Sequence, residues 1–538
     1  MSAAGTFDYV VVGGGSAGCI LAAELSKDAR VLLLEAGPHA EAHPETLSAD
    51  GYKEAFTNDA LLHERFSVKD PRWGDRRLFM GSGRTLGGSG SINAMVYTRG
   101  AREDFDQWPE GWRWDDVAAG FEALERTLRP HRRPPTDWTE RSIRAAELAG
   151  FRRSEDLNDG DLSGVLGYEW MSYEGDRRRS SFAAFLQPAL GRETLRVETE
   201  AFVEKVLFEG TRAVGVRWRQ GDAVHEARAS REVILAAGAL ASPAILLRSG
   251  VGPAAALRAL GIDVVLDRGG VGENLHDHPN VQLFFRGSRE VDCHYPQLYG
   301  FHRANPASDL PPGQADSCYV FYPARSSFRE GLLRLLPGIA LPEALYDVPA
   351  FPKAIRGAVD LAFRRRLVQR FVARMWGIVV ILGKPKSRGR LSLKSADPSV
   401  RPAIDPGYFA DPEDMETLLL GVDKARAVAA QTPLQRFGAS ELLPGPFVRS
   451  RRALERWARA NVMTTYHYAG TCRMGTDADA VVDTRLRLNG AEGLRVCDAS
   501  VMPITPVAAL NAPSMLIALR AAHQIAEAHA GPAKTARA

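Results

Sequence analysis

The feature that most constrains this chain lies near its start, where an apolar run leads directly into a glycine-rich turn. Residues 7–12 read FDYVVV, and these mostly β-branched and aromatic side chains predict a buried strand. A helical pattern follows, and a second apolar run at residues 31–34 ends on Glu35. The turn between them carries three glycines in the GxGxxG spacing, Gly13, Gly15 and Gly18. Strand, glycine turn, helix, strand and acid within about thirty residues predict a dinucleotide-binding βαβ unit.

Each glycine of this turn has a physical reason. Gly13 permits the tight turn, Gly15 lets the backbone approach a pyrophosphate, and Gly18 lets the helix pack on the strand. The free N–H groups at the start of the helix face the phosphates. Glu35 can accept hydrogen bonds from ribose hydroxyls, and its charge disfavours the 2′-phosphate of NADP. The unit by itself does not separate FAD from NAD.

The bulk properties indicate a large globular protein. The 538 residues suffice for two or more domains, and 45% hydrophobic and 25% charged residues are ordinary for such a chain. A net charge of +3 is too small to indicate a nucleic-acid partner. The five cysteines are scattered without a CxxC pair, which favours a reducing compartment and argues against a zinc site or a disulfide framework.

The ends of the chain and its hydropathy bear on location. Six residues precede the first predicted strand, so we expect no signal peptide. No apolar run is long enough to span a bilayer, and the tail after Ala526 is expected to fray. These features predict a protein of the cytoplasm, or one at the periphery of the inner membrane.

The rest of the chain divides into regions of different pattern. Residues 36–80 have little periodicity and predict a long loop that has a function or covers something. Short apolar runs over residues 195–237 predict an antiparallel meander inserted in an α/β fold. Short strands are predicted over 385–410, and a strand at 494–498. Helices are predicted at residues 103–126, 140–150, 353–375 and 411–431, in a segment ending at Arg248, and from Asn511 to about 529.

Five motifs, in order along the chain, carry a resemblance to a known family. They are residues 83–100, GALASPAILLRSGVG at 238–252, GVGENLHDHP at 270–279, YHYAGTCRMG at 466–475, and VCDASVMP with LNAPS within 496–514. Together they resemble the glucose-methanol-choline oxidoreductases, a group of FAD enzymes, over nearly the whole chain. The chain departs from the family pattern at Ser89-Gly90, where two hydroxyl residues are usual, and at Tyr468, where many relatives have proline.

The resemblance implies a mixed α/β (α+β) fold with two domains. The first is a Rossmann-type FAD-binding domain with the inserted β-meander, assigned to residues 1–155, 190–285 and 460–538. The second is a substrate-binding domain built on an antiparallel sheet with helices, assigned to residues 156–189 and 286–459.

The resemblance also implies the residues that bind FAD. The candidates are Gly13, Gly15, Ser16, Ala17, Gly18, Glu35, Ala36, Arg84, Gly88, Asn93, Ala94, Met95, Val96, Val203, Asp498, Ala499, Asn511, Ala512 and Pro513. Some relatives attach FAD through a histidine just before the motif asparagine. Ile92 holds that position here and cannot form the bond, so the flavin is expected to be non-covalent.

The implied reaction is oxidation of the CH–OH group of an alcohol to an aldehyde or ketone, with hydride transfer to flavin N5. His467 holds the family's catalytic position, and histidine suits the proton step because its ordinary pKa of about 6.5 lies near working pH. Asn511 holds the partner position, where its amide can orient the substrate oxygen. A dehydrogenase resembling choline dehydrogenases is favoured over an oxidase, and the acceptor is left open between a quinone, a dye-type acceptor and oxygen.

Three other functions compete with alcohol oxidation. Hydroxynitrile lyases and fatty-acid photodecarboxylases resemble this family without being alcohol oxidoreductases, and they form the main alternative. An NAD-linked dehydrogenase is disfavoured by the late FAD-type motifs, and a non-catalytic binding protein by competent residues at every site position. His276, Asp277 and His278 could suggest a metal site, but they belong to a family loop, and no metal is expected.

One segment of the chain suggests contact with a membrane surface. Val359, Phe363, Leu367 and Phe371 recur at helical spacing within residues 353–375. Basic charge is supplied there by Arg364, Arg365, Arg370 and Arg374. Such a helix could rest on anionic lipid near a quinone acceptor, while the plainer interpretation is a lid or core helix with a solvated basic edge.

Overall fold

The predicted βαβ unit is present and lies in the parallel part of a mixed sheet. The computed structural model describes residues 2–529. The first strand is Ser2–Val12, the helix that follows is Ser16–Leu25, and the second strand is Val31–Leu34. The two strands pair in parallel, with Tyr9 opposite Val31. All four residues of the second strand are buried, as expected for a parallel strand covered on both faces.

We call the sheet that contains this unit the first sheet. Within residues 2–529 it has seven strands. Their order is Leu195–Glu198, Val31–Leu34, Ser2–Val12, Ala223–Leu235, Arg212–Gln220 and Phe202–Glu209, with Leu494–Val496 also paired to Ala223–Leu235. The last helix, Asn511–His529, packs across the helix Ser16–Leu25.

The predicted meander forms, with one difference. Strands Phe202–Glu209, Arg212–Gln220 and Ala223–Leu235 pair antiparallel in succession. Leu195–Glu198, predicted as part of the meander, instead pairs in parallel with Val31–Leu34. Glu200 has a φ of 56°, so the chain turns sharply between this strand and the meander. The strand therefore forms one edge of the first sheet, next to Val31–Leu34.

The second sheet is largely antiparallel, as predicted. Within the described residues it has eight strands. Their order is Ser440–Leu443, Pro279–Arg286, Met375–Leu382, Ser317–Pro323, Leu298–His302, Val165–Tyr168 and Arg152–Arg153, with Met463–Thr464 also paired to Pro279–Arg286. Three of these strands, near residues 152, 279 and 463, come from ranges assigned to the FAD-binding domain. The division of the chain into domains stays a prediction.

The helix predicted over residues 103–126 is wrong as a single element. The structure has two helices there, Arg102–Asp106 and Trp114–Leu128. Pro109 lies in the interruption, and Gly111 has a φ of 82°, a conformation that a continuous helix cannot contain.

The remaining helices near predicted positions are Asp137–Leu148, Ser242–Arg248, Pro412–Ala429 and Asn511–His529. Other helices are Ala254–Ala259, Thr432–Phe437 and Arg451–Asn461.

The helix predicted over residues 353–375 is also broken. Ala350–Phe363 and Arg366–Ala373 are separate helices, and the strand Met375–Leu382 begins directly after them. The first of them packs on Phe328–Ala340, with the short helix Glu343–Tyr346 between. We call residues 328–373 the helical cap.

The predicted loop at residues 36–80 contains short elements of structure. These are the helix Tyr52–Thr57, short 3-10 turns, and the strand Leu62–His63, which pairs with Ser82–Gly83. The last helix continues past Ala526 to His529, and the rest of the tail predicted to fray lies outside the described residues. In residues 2–529, none of the helices combines the length and apolar character needed to cross a bilayer.

A buried ion pair ties distant parts of the chain together. Lys384 Nζ lies 2.9 Å from Asp104 Oδ1, and both side chains are almost completely buried. The lysine also donates to the carbonyl oxygen of Thr505 at 2.7 Å. Asp104 accepts a further hydrogen bond from the backbone N–H of Val507 at 2.9 Å. The pair therefore joins the helix Arg102–Asp106 to the segment that leads into the last helix.

Removing one member of this pair should destabilise the protein strongly. Lys384→Met leaves the Asp104 charge buried without its partner, so we expect the free energy of unfolding to fall by about 3–5 kcal/mol. Urea unfolding followed by tryptophan fluorescence measures the change. Lys386→Met is the matched control: Lys386 pairs with Asp309 and Glu413 but is 31% exposed, and we expect a loss of about 1 kcal/mol or less. Equal losses in both variants would contradict the prediction.

Candidate active site

One cavity of about 970 Å³ extends from the glycine turn of the first sheet to the face of the second sheet. Both predicted catalytic residues, His467 and Asn511, line it. Most of the predicted cofactor-binding residues line it as well: Gly13, Gly15, Ser16, Ala17, Glu35, Ala36, Gly88, Asn93, Ala94, Val96, Val203, Asp498 and Ala499. The structure therefore brings together residues from the two ends of the chain.

Five predicted cofactor residues do not line this cavity. Gly18 is buried in the first helix, where a Cβ atom would lie 1.7 Å from the Gly13 carbonyl oxygen, so its role is packing. Arg84 lines an adjoining cavity of about 1000 Å³, and its Nε donates to the carbonyl oxygen of Ala36 at 3.1 Å. The other three are buried beside the cavity: Met95, Ala512 and Pro513.

The glycine turn is shaped to receive a phosphate group. Gly15 precedes the first helix and gives it no side-chain cap, so the first N–H groups of the helix are left for another acceptor. A Cβ atom on Gly15 would have no neighbour closer than 4.0 Å. Because Gly15 lines the cavity, a side chain there would enter the space that the turn leaves open. These features fit a bound pyrophosphate.

Glu35 lies at the end of the second strand and faces the same turn. Its Oε2 accepts from the Gly14 N–H and its Oε1 from the Gly37 N–H, each at 2.8 Å. Burial raises the pKa of this carboxyl to about 7. Each oxygen retains a second lone pair, so the carboxylate fits the ribose hydroxyls of a dinucleotide.

Asp498 holds two loops in place at the nucleotide end of the cavity, which is the end that contains the glycine turn. Its Oδ2 accepts from the Gly238 N–H at 2.9 Å and from the Ser242 hydroxyl at 2.5 Å. Its Oδ1 accepts from the Ser500 N–H at 2.8 Å. The carboxylate thus fixes the loop that carries Ala499 against the cavity.

His467 is held by its backbone and by its ring. Its N–H donates to Asp277 Oδ1 at 2.8 Å. Asp277 also accepts from the His278 N–H at 2.8 Å, the Thr464 hydroxyl at 2.5 Å, and the Tyr408 hydroxyl. Because the carboxylate is occupied in this way, it organises the loops around His467.

The ring of His467 contacts a second histidine that was not predicted as a site residue. His467 Nδ1 lies 2.9 Å from His278 Nδ1, and the two rings are nearly perpendicular, at 89°. One nitrogen of this pair must carry the hydrogen and the other must accept it, so the tautomers of the two rings are complementary. Burial lowers the pKa of His467 to about 4 and the pKa of His278 well below its usual value. Both rings are therefore neutral near pH 7.

Asn511 is oriented by a hydroxyl from the glycine turn. The Ser16 hydroxyl donates to Asn511 Oδ1 at 2.8 Å, which leaves the amide NH₂ group to donate elsewhere. A Cβ atom at Gly90 would lie 2.7 Å from Ser16 Oγ and 3.3 Å from Asn511 Oδ1. The departure from the family pattern at Gly90 thus has a steric reason, since a side chain there would displace the Ser16 hydroxyl.

Several aromatic residues around His467 were not assigned roles from the sequence. Tyr466 has a φ of 64° and packs edge-on against Phe56 and Phe79, with centroid distances of 5.9 and 6.3 Å. Tyr468, the second departure from the family pattern, lines the cavity and is buried. Within residues 2–529 its hydroxyl has no hydrogen-bond partner. The sequence shows that Tyr466 and Tyr468 flank His467. It does not show how each of the two rings is oriented toward the cavity.

The loop considered for metal binding has several polar atoms engaged by protein groups, although among the described residues His276 Nε2 and His278 Nε2 have no hydrogen-bond partner. His276 Nδ1 donates to the carbonyl oxygen of Asn274 at 2.8 Å, and the Asp277 oxygens take the contacts described above. Across residues 2–529, no group of three or more His, Cys, Asp or Glu side chains is arranged to hold a metal ion.

Comparison with known proteins agrees with this geometry. Two family models described as GMC oxidoreductase match residues 7–280 and 385–518. The oxygen-dependent choline dehydrogenase of Serratia proteamaculans (strain 568) is 35% identical over 568 aligned residues, covering 98% of this chain and 97% of the relative. The alcohol dehydrogenase (acceptor) of Pseudomonas putida is 35% identical over 550 residues, covering 96% of this chain and 95% of that protein.

Solved structures share the fold over nearly the full length. Pyridoxine 4-oxidase from Mesorbium loti is similar with a TM-score of 0.83 at 27% identity, covering 97% of this chain and 100% of that one. A formate oxidase structure has a TM-score of 0.84 at 22% identity, covering 98% and 99%. The chain therefore belongs to the glucose-methanol-choline family, and it is an FAD-dependent oxidoreductase of alcohols.

Proposed function

We propose that His467 accepts the hydroxyl proton of an alcohol and that Asn511 orients the alcohol oxygen. The observation that carries this proposal is that a neutral histidine and a pre-oriented amide line the same cavity. A histidine can take a proton only in its neutral form, and burial keeps His467 in that form near pH 7. The same pair fits proton removal from an alcohol, and the choline dehydrogenase and alcohol dehydrogenase relatives favour oxidation over the lyase and photodecarboxylase alternatives.

The residues of the nucleotide end fit FAD. When bound, FAD supplies the acceptor for the hydride that leaves the alcohol carbon. The first helix and the glycine turn would hold its pyrophosphate, and Glu35 its ribose. The contacts we propose along the rest of the cofactor come from Arg84, Gly88, Asn93, Ala94, Met95, Val96, Val203, Asp498, Ala499, Asn511, Ala512 and Pro513.

His278 sets the ring of His467 for the proton step. If His467 Nδ1 carries the hydrogen and donates to His278 Nδ1, the Nε2 atom of His467 is left with a free lone pair. That atom is then the proton acceptor. Asn511 donates from its amide NH₂ group to the same alcohol oxygen, since Ser16 holds the amide oxygen. The alcohol is thereby aligned before its proton leaves.

Removing these two groups should slow flavin reduction without emptying the cofactor site. We expect His467→Ala to lower the rate of anaerobic flavin reduction by about 10²–10⁴, the range for a positioned acid–base group. Asn511→Ala should lower it by less, because the base remains. The double variant should lose less than the product of the two effects, since both groups act on one oxygen. Stopped-flow absorbance measures all three rates.

A control variant and the pH dependence of the rate distinguish a role of His467 as proton acceptor from a purely structural role. His131 is exposed, and His131→Ala should reduce its flavin at the wild-type rate. In the wild type, the rate should stay constant from roughly pH 6 upward and fall only as the pH drops toward about 4, because His467 becomes charged there. An inflection near 6.5, or a wild-type rate in His467→Ala, would refute the assignment.

We also propose that the flavin is not covalently attached. The position where some relatives carry an attaching histidine is Ile92, which lines the cavity and has no nucleophilic atom. Acid precipitation of the purified protein should leave a yellow supernatant and a colourless pellet. A pellet that retains the yellow colour after washing would show a covalent bond and overturn this proposal.

The electron acceptor and the compartment belong to the same proposal. We propose a dehydrogenase whose electron acceptor is a quinone, a dye-type acceptor or oxygen. The two relatives described above support this range, because one is named an oxygen-dependent choline dehydrogenase and the other an alcohol dehydrogenase (acceptor). A reducing compartment such as the cytoplasm is supported by the five cysteines, which are all buried and free. Reoxidation rates of the reduced enzyme with quinone, dye and oxygen rank the three acceptors directly.

The outer face of the helical cap supports contact with an anionic lipid surface. The apolar stripe predicted for this segment is not continuous, because Val359 is buried and Phe363 is partly buried against the cap interior. A different stripe faces solvent on the helix Ala350–Phe363, formed by Phe351, Ala354, Ala358 and Leu361. The following helix exposes Leu367, at 80%, and Phe371. Among the described residues these exposed side chains give the two outer helices an apolar face, with the Arg286 guanidinium 5.7 Å from the centroid of the Phe371 ring.

Basic side chains surround this apolar face. Exposed cations of the two outer helices and their flanks are Lys353, Arg364, Arg365, Arg366, Arg370 and Arg374. Among the described residues, none of them forms an ion pair with a carboxylate within 4.0 Å. Apolar side chains bordered by free arginines match a bilayer with anionic headgroups.

Vesicle sedimentation tests this surface. The wild type should sediment with vesicles of phosphatidylcholine and phosphatidylglycerol at low salt, and not with phosphatidylcholine alone. Arg365→Glu/Arg370→Glu should weaken binding roughly thirtyfold or more, because each basic residue near the surface contributes about 1 kcal/mol. The matched control is Arg144→Glu/Arg258→Glu, which reverses two exposed charges outside the cap. No sedimentation of the wild type, or equal weakening in both variants, would remove the proposal.

A further inference from the structure

The substrate end of the cavity has an ordered floor made by three neighbouring strands of the second sheet. Alternate residues of each strand face the cavity: Asn280, Gln282 and Phe284; Cys318, Val320 and Tyr322; and Met375, Val379 and Ile381. The register places them in rows across the sheet. Asn280 is opposite Ile381, and Ile381 is opposite Cys318. The next row is Gln282, Val379 and Val320, and the third is Phe284, Gly377 and Tyr322.

Polarity decreases along this floor with distance from the histidines. Asn280 follows His278 by two residues, and its Nδ2 donates to the Thr465 hydroxyl at 3.0 Å. Gln282 adds one amide to the second row. In the third row, the aromatic residues Phe284 and Tyr322 lie on either side of Gly377. Because successive rows are roughly 7 Å apart, the cavity changes from polar to apolar within about 14 Å.

The helical cap forms an aliphatic wall opposite this floor. Leu332, Leu335, Leu336 and Ile339 lie at helical spacing on Phe328–Ala340 and line the cavity. The Phe328 ring packs on Phe284 with a centroid distance of 5.3 Å, which joins the wall to the third row. Ile339 lines the cavity and is 63% exposed, so it marks the mouth.

Charge at this end does not favour a cationic substrate. Among the described residues that line the cavity, the carboxylates are Glu35, Asp498 and Glu330. The first two lie at the nucleotide end, as shown above. Glu330 Oε1 accepts from Arg329 Nη1 at 2.9 Å, so its charge is already paired. Lys53 also lines the cavity and adds positive charge. A quaternary ammonium group would therefore lose its hydration without gaining a free carboxylate.

We infer that the substrate is an alcohol with an apolar body, and that Val379, Val320 and Leu336 determine this preference. The inference rests on the proposed function, since it places the hydroxyl at His467 and Asn511. The hydrocarbon part then extends over the second and third rows toward the cap. Burial of each additional methylene group against these side chains should strengthen the transition-state complex until the chain reaches the mouth.

A matched pair of alcohols tests the inference. Choline and 3,3-dimethylbutan-1-ol have the same shape, but only choline carries a charge. In the holoenzyme, we expect kcat/KM for anaerobic flavin reduction to be at least tenfold higher for dimethylbutanol. Along the n-alkanols from ethanol to octanol, kcat/KM should rise about threefold to fourfold per methylene. Inert n-alkyl methyl ethers should inhibit with the same dependence on chain length, which reports binding apart from turnover.

Variants connect the preference to the named side chains. Val379→Asp should shift the ratio of choline to dimethylbutanol turnover by at least tenfold toward choline, and Val379→Asn, of similar size and neutral, should not. Leu336→Ala should reduce the gain per methylene for the longer alkanols. Leu148→Ala is the control, because Leu148 is exposed on the helix Asp137–Leu148, outside the cavity lining.

The possible outcomes are distinguishable. Equal turnover of the matched pair, a preference for choline, or a flat alkanol series would overturn the inference while alcohol oxidation stands. Failure of every alcohol to reduce the flavin would instead refute the proposed function. The wild-type comparisons decide the question even if Val379→Asp does not fold.

Discussion

The arrangement of the active site depends on one buried carboxylate, Asp277. It accepts hydrogen bonds from the backbone N–H groups of His278 and His467 and from the hydroxyls of Thr464 and Tyr408. Burial alone raises the pKa of this carboxyl, and the four donors offset the desolvation that would otherwise make it costly. Because these donors come from three separate stretches of chain, the carboxylate brings together two histidines that are 189 positions apart.

The nucleotide end constrains the other half of the same site. Ser16 begins the helix that faces the pyrophosphate position, and its hydroxyl also holds the amide of Asn511. One residue thus connects cofactor binding to substrate orientation. Gly90 is part of this connection, because only a residue without a Cβ atom leaves the Ser16 hydroxyl in place.

Local patterns were sufficient for much of the fold and for part of the site. The βαβ unit was predictable because its apolar runs and glycines are contiguous, and His467 and Asn511 because they stand in family motifs. Leu195–Glu198 was misassigned because its pairing partner, Val31–Leu34, is far away in sequence. His278 was missed as a partner of His467 for the same reason. The prediction of a single helix over residues 103–126 was wrong for a different reason. The helix-breaking residues Pro109 and Gly111 are present in the sequence, but the surrounding apolar pattern outweighed them.

The helical cap connects the chemistry of the cavity to its surroundings. One helix, Phe328–Ala340, presents leucines to the cavity, and the helix packed on it presents Phe351 and Leu361 to solvent. An apolar alcohol dissolves preferentially in a bilayer, so an enzyme for such a substrate benefits from a mouth beside lipid. Ile339 lies at that mouth and is exposed on the same cap. The proposed apolar substrate and the proposed lipid-facing surface are therefore compatible, since an alcohol dissolved in a bilayer could enter at a mouth on the same cap.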